Sequence, residues 1–184
     1  MKLIVGIGNP GNKYDETPHN VGFSLLDYLG QPNEWKKSNQ TLIQKISLDG
    51  QPLLLVKPVS YVNLSGQALK PIAQFYKITA KDIIVLVDDV NIPFGALRIR
   101  SQGSHGGHNG LKNLIQYFGD QFVRIRIGVG ICPPHWDLSH WVLKKMKPDE
   151  KESIETTKDK IEAIILCGIN EGWDIASTRY NRKI

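Results

Sequence analysis

Apolar residues along the chain arrive in two rhythms, short unbroken runs and runs spaced three or four apart, and their alternation sets out the elements. Residues 3–7 form the first unbroken run, and residues 2–8 read as a buried strand. After a polar loop with Gly and Pro, Val21, Leu25 and Tyr28 or Leu29 fall on one face of a helix. Residues 42–48 and 52–57 flank Asp49-Gly50, a dipeptide suited to the positive φ angles of a tight hairpin. Leu64, Ala68, Ile72 and Phe75 mark a second helix, and residues 83–87 a short, fully apolar strand. An alternating strand around residues 97–100, a helix over about 110–117 and a strand over 122–129 follow. Ile154, Ile161 and Ile165 place a long helix near the C-terminus, with Lys151 and Glu155 among its exposed charges. Strands alternating with helices predict an α/β fold with a twisted, mixed, largely parallel sheet covered by helices on both faces. No repeat or linker divides the chain, so residues 1–184 are expected to form one domain.

Composition narrows the setting. An apolar fraction of 41% with 22% charged residues is that of a chain able to bury a core. No stretch approaches the roughly 18 apolar residues of a membrane span, and the apolar run after Met1 and Lys2 is too short for a secretory leader. Cys132 and Cys167 lie far apart, which suggests neither a disulfide framework nor a zinc knuckle, so a reducing cytoplasm is the expected setting. A net charge of +5 suits a polyanionic partner but does not establish one, since many basic proteins bind no nucleic acid.

The first strand ends in Gly6-Ile7-Gly8-Asn9-Pro10-Gly11, a literal match to the dinucleotide-binding pattern G-x-G-x-x-G. That fingerprint needs its last glycine to open a helix and an acidic residue to end the next strand. Here residues 12–17 intervene and no acidic strand end follows, so the match is set aside. What remains is a strand exit that either places the Asn9 amide at the sheet edge, where α/β proteins bind ligands, or uses it to cap a turn.

Thr17-Pro18-His19-Asn20 has the grammar of a helix start, with Thr17 as cap, Pro18 at the first position and His19 in the first turn. The positive end of a helix disfavours imidazolium, so His19 is expected to be neutral and able to accept a proton from water. A general base also needs its ring fixed, and Asp88 is the candidate, because it follows the apolar run 83–87 at a strand end that lies beside the first strand if the two are parallel. The plain alternative for His19 is a solvated surface residue.

Asn63 precedes the second helix and Asn109 opens the third, so each is a cap or a site residue. With Asn9 they form a set of neutral groups suited to holding a polar substrate and stabilising an oxyanion. The segment 103–110 packs four glycines and two histidines into eight residues, which lets backbone approach a ligand closely. It lacks the Gly-Lys-Ser/Thr ending of a P-loop. His105-x-x-His108 permits a metal with His19 or Asp88, but the flanking glycines leave the pair without helical support, so no metal or other cofactor is expected. Arg98 and Arg100, like Arg124 and Arg126, are two apart and so share a strand face, where they suit phosphate oxygens or are ordinary solvated positions. Lys112 adds a charge just after the loop, while Lys144, Lys145 and Lys147 read as a solvated face.

Gly-x-Gly-Asn-Pro-Gly at 6–11, His19-Asn20-Val21-Gly22, Asn63-Leu64-Ser65-Gly66, Asp88-Asp89 with Pro93-x-Gly95, and the run 106–112 strongly resemble the bacterial peptidyl-tRNA hydrolases, in order and spacing, over essentially the whole chain. The resemblance implies a monomer that binds peptidyl-tRNA and cleaves the ester between the peptide and the terminal ribose, without a metal, recycling tRNA from prematurely released peptides. It implies His19 as general base, Asp88 as its orienting partner, and Asn109 as the residue that places water and stabilises the tetrahedral intermediate. Asn9, Asn63, Asn109, Tyr14 and Tyr61 are implied as substrate-binding, with Val62 lining the pocket. Arg98, Arg100, Lys112 and Arg126 are implied as tRNA phosphate contacts. Three positions depart from the family pattern, Val62 for methionine, Pro18 for arginine and Asn91 for an acidic residue, and they bear on pocket detail and tRNA affinity rather than on reaction class. The alternative is an RNA-binding protein on the same fold that does not hydrolyse, against which the presence of His19, Asp88 and the three asparagines argues.

Overall fold

The computed structural model describes residues 1–31 and 33–181. The apolar run that opens the chain becomes β1 (Lys2–Gly6), followed by α1 (Val21–Leu29), β2 (Lys36–Ser38), and the hairpin β3 (Thr41–Leu48) and β4 (Gln51–Pro58). At the hairpin turn Asp49 and Gly50 both take positive φ, 48° and 77°, the primed geometry that the right-handed twist of paired strands favours. Then come α2 (Ser65–Phe75), β5 (Ile83–Asp89), β6 (Leu97–Arg100), α3 (Asn109–Phe118) and β7 (Val123–Gly128), with α4 (Leu138–Leu143), α5 (Pro148–Asn170) and α6 (Trp173–Tyr180) closing the chain.

The strands form one sheet in the order β2-β3-β4-β1-β5-β7-β6. β4, β1, β5 and β7 run parallel, while β2, β3 and β6 are antiparallel to their neighbours. This is the mixed, largely parallel α/β sheet that the alternating rhythms predict. Side-chain alternation divides the core in two. Ile4, Leu55, Leu86 and Ile125 pack with Leu25, Ile161 and Ile165 of α1 and α5. Leu3, Val5, Leu54 and Val85 face the other way, against Leu69, Ile72, Leu111 and Leu114 of α2 and α3. No described helix is long and apolar enough to cross a membrane.

β2, α4 and α6 have no counterpart in the sequence expectation. β2 has only three residues, α4 six, and α6 buries a single residue, Ala176, so none offers a sustained period to detect. α6 leads to Asn181, whose amide donates to Ile99 O at 3.2 Å and accepts from Ile99 N at 2.6 Å, satisfying part of the free edge of β6.

The parallel register sets up the site. β1 pairs Val5 with Val85 and Gly6 with Leu86, which brings the exit of β1 beside the end of β5 where Asp88 stands. α1 begins close against both strands: a Cβ at Gly22 would lie 2.5 Å from Leu86 O and 2.6 Å from Ile7 N. Only glycine permits that approach, so the turn carrying His19 sits directly over the strand end carrying Asp88.

Candidate active site

His19 lies in a single 3-10 turn, Pro18–Asn20, that precedes α1. Pro18 occupies the first position as expected, but Thr17 does not cap with its side chain; its hydroxyl donates instead to Tyr14 O at 2.7 Å. His19 Nδ1 lies 3.0 Å from both carboxylate oxygens of Asp88. An anionic carboxylate only accepts, so the proton is on Nδ1 and the other ring nitrogen, Nε2, carries a lone pair. That nitrogen hydrogen-bonds to none of the described residues, and His19 lines a cavity of about 380 Å³.

Asp88 has a second partner. His108 Nε2 lies 2.9 Å from Asp88 Oδ1, while His108 Nδ1 accepts from Gly110 N at 3.1 Å and Leu111 N at 3.4 Å. His108 is therefore the N-cap of α3, and because its Nδ1 accepts, its Nε2 carries the proton that Asp88 receives. The cap belongs to His108 rather than to Asn109, which leaves the exposed Asn109 amide free at the cavity wall. The backbone that brings His108 in turns at Gly106 and Gly107 with φ of 56° and 82°, values that glycine adopts without strain.

Burial works against charge on His19, but the adjacent Asp88 carboxylate, by its charge and its hydrogen bond, outweighs it and raises the pKa above the ordinary 6.5. The direction corrects the expectation from the helix start: the ion partner, not the helix end, governs this imidazole. Burial likewise penalises the Asp88 anion, yet His19 and His108 together hold its carboxyl far below the usual range. The result is a strengthened base on a carboxylate that stays ionised.

Asn9 is buried at the β1 exit, lines the cavity, and accepts from Val62 N through Oδ1 at 3.0 Å. Val62 itself is 5% exposed and packs in the α2 and α3 core rather than lining the cavity, a correction that follows from its place in the buried turn before α2. Asn63, beside it, is exposed, and the cap position of α2 falls to Leu64 without a side-chain bond. The amides at the start of α2 find their acceptor in another helix: Asn113 Oδ1 receives Gly66 N at 2.8 Å and Gln67 N at 3.1 Å. Tyr61, 57% exposed, and Tyr14, with the Lys13 ammonium 4.8 Å from its ring, lie outside the cavity wall with Asn63.

The arginines of β6 and β7 share one sheet face, because the antiparallel register sets Arg98 opposite Arg126 and Arg100 opposite Arg124. They are not equivalent. Arg124 is fully buried, its guanidinium donating to the carbonyls of Phe122 at 3.1 Å and Gly103 at 2.6 Å. Arg126 reaches the cavity wall under Gly106, with Nε 2.9 Å from Asp89 Oδ2 but not aligned as a directed hydrogen bond. Arg98 is half-buried, and Arg100 and Lys112 are exposed. Asp89 also accepts from Asn91 N at 2.9 Å and Nδ2 at 3.2 Å, so the neutral residue at 91 is folded onto that carboxylate.

The opposite wall comes from α4, through Leu138, Ser139, Val142 and Leu143. These residues and Asp89 were not among the sequence candidates. His108 was visible only as half of a possible metal pair, and the structure separates that pair, since His105 Nδ1 turns to Gly107 N at 3.0 Å. The donor atoms of His19, Asp88 and His108 do lie within 4.8 Å of one another. Their spacings of 2.9 and 3.0 Å are those of hydrogen bonds with the carboxylate as common acceptor.

An α/β sheet that presents a carboxylate-oriented histidine to a cavity edged by the Asn9 and Asn109 amides has the arrangement of a hydrolytic site. Comparison with known proteins gives the narrower assignment. The family model described as peptidyl-tRNA hydrolase matches residues 3–184. The peptidyl-tRNA hydrolase of Alkaliphilus oremlandii is 44% identical over 98% of this chain and all of its own length. That of Desulfitobacterium hafniense is 43% identical over 99% of this chain and all of its own. Among solved structures, peptidyl-tRNA hydrolase from Acinetobacter baumannii superimposes with a TM-score of 0.91 at 30% identity, covering 98% of this chain and 94% of that one. The chain belongs to the peptidyl-tRNA hydrolase family.

Proposed function

We propose that the protein hydrolyses the ester between a peptide and the terminal ribose of tRNA, as a metal-free cytoplasmic monomer. The observation that carries the reading is the His19 ring, which lines the cavity, is fixed through Nδ1 by Asp88 at 3.0 Å and has no partner for Nε2 among the described residues. Nε2 takes a proton from water as the water oxygen adds to the ester carbonyl, and Asp88 stabilises the imidazolium that forms. The Asn109 amide donates to the developing oxyanion. Collapse of the tetrahedral intermediate breaks the bond to the ribose oxygen, which receives the proton from His19. The products are a free peptide carboxylate, a proton released to solvent and a tRNA with its terminal hydroxyl restored.

With its oxygen held by Val62 N, Asn9 offers Nδ2 as a donor to the substrate. Asn63 and Tyr61 are exposed and Tyr14 is half-buried, which leaves them available for contact with the terminal nucleotide. Arg98, Arg100, Lys112 and Arg126 suit tRNA phosphates. His19→Ala is expected to lower turnover of peptidyl-tRNA roughly 100- to 10,000-fold while leaving tRNA binding intact; wild-type protein that binds tRNA without releasing peptide would make it a binding module instead. The proximity of His19, Asp88 and His108 gives a metallohydrolase some support. Treatment with a chelator is expected to leave the rate unchanged, and loss restored by a divalent cation would establish the metal.

A further inference from the structure

Asn20 follows His19 in sequence, yet its side chain turns away from the chemistry. It is 6% exposed, and both ends of its amide are spent on one residue: Oδ1 accepts from Asn9 N at 2.9 Å and Nδ2 donates to Asn9 O at 2.9 Å. The two bonds hold the peptide planes on either side of Asn9, and so fix both its φ and its ψ. Asn9 passes the constraint on, since its Oδ1 holds Val62 N at 3.0 Å. One chain of three hydrogen bonds thus ties the exit of β1 to the turn bearing His19 and to the turn bearing Asn63. The closure also accounts for Gly8, because a Cβ there would lie 3.1 Å from Asn20 Oδ1 and 2.8 Å from the Phe23 ring. The second glycine of the Gly-x-Gly run makes room for an amide clamp, not for a pyrophosphate.

We infer that Asn20 is a positioning residue for the hydrolysis: acting only through Asn9, it keeps the Asn9 Nδ2 aimed into the cavity as a donor to the peptide portion of the substrate. The inference rests on Asn9 as a substrate contact, the reading given above. An unclamped Asn9 can rotate about its backbone, and the donor is then lost from the ground-state and transition-state complexes alike while the His19–Asp88 pair is untouched. The signature is a rise in KM with little change in kcat.

The test is a double-mutant cycle on a defined peptidyl-tRNA, with Asn9→Ala, Asn20→Asp and the two combined. Asn20→Asp keeps shape and acceptor but sets an oxygen against the Asn9 carbonyl. It is expected to raise KM about fivefold or more, with kcat within about threefold; the uncharged Asn20→Ser, which adds no carboxylate beside His19, should leave the acid limb of the pH profile unmoved. In the Asn9→Ala background the same change should shift KM less than about twofold, since the route through Asn9 is already closed. Equal KM increases in both backgrounds overturn the inference, as does a fall in kcat and melting temperature with KM unchanged, the mark of a merely structural role. If Asn9→Ala leaves KM at the wild-type value, the substrate contact itself fails and the positioning role goes with it. Asn20→Ser, uncharged and smaller, is measured in parallel by the same criteria and decides the matter if the buried carboxylate prevents folding.

Discussion

Asp88 on β5 is met by two histidine nitrogens at 2.9 and 3.0 Å, whereas one strand further, on β7 and β6, four guanidinium groups share a sheet face and only Arg126 among the described residues has a carboxylate within ion-pair distance. The first arrangement engages both oxygens of its acceptor. The second leaves charge unspent, in a graded way: Arg124 is used up on carbonyls inside the protein, Arg126 is partly offset by Asp89, Arg98 is half-buried and Arg100 is exposed. Proton transfer needs one fixed geometry, which full hydrogen bonding supplies. Contact with a phosphate backbone needs available charge and tolerates imprecise placement.

The comparison breaks most sharply at Asp88. Asp88→Asn is expected to cut kcat/KM roughly 1,000- to 10,000-fold, because an amide neither stabilises imidazolium nor reliably holds the productive tautomer. The pH profile gives the sign independently. His19 must be neutral to act, and its pKa lies above 6.5, so the wild-type rate should rise with pH through a value above 6.5. Asp88→Asn removes the opposing charge and leaves burial, so the residual activity should show its acid limb displaced downward. A limb that stays in place means His19 is not the titrating base.

The effect at Arg124 is smaller and of another kind. Burial first, and Arg126 second, push this guanidinium down to about 10, and its role in the structure is to hold the Gly103 and Phe122 carbonyls. Arg124→Leu should lower stability by about 1–3 kcal/mol, read by chemical denaturation, since it strands buried acceptors. Arg100→Ala should leave stability alone. It is expected to weaken tRNA binding about tenfold, lower the salt dependence by about one charge, and spare short ester substrates. Equal losses on tRNA and short esters would remove Arg100 from the phosphate contacts.

The same contrast explains what could be read from the sequence. The longer strands and helices were legible because their apolar period is sustained, and His19 with Asp88 because strand ends and helix starts converge in a parallel sheet. The partnership of His108 with Asp88 was not, since nothing local says that the cap of α3 will point its other nitrogen at β5. Nor was the rank order among the arginines: spacing two apart gives a shared face, but only the antiparallel register sets the two pairs together, and only the Gly103 turn decides which cation is enclosed. The α4 wall escaped because a helix of six residues carries too little pattern.

The borders of the sheet carry a consequence for how the molecule behaves in a crowded solution. An outermost strand with free amides invites another chain to add on, and long flat borders seed aggregates. Here one border is β2, three residues that include Lys36 and Lys37, and the other is β6, four residues that include Arg98 and Arg100, with Asn181 already seated on Ile99 where an incoming strand would begin. A second copy approaching border to border would meet like charge and a partly occupied ladder. The arginines that suit a nucleic acid thus also discourage fibril growth, so neutralising them for biochemical convenience should cost solubility as well as binding.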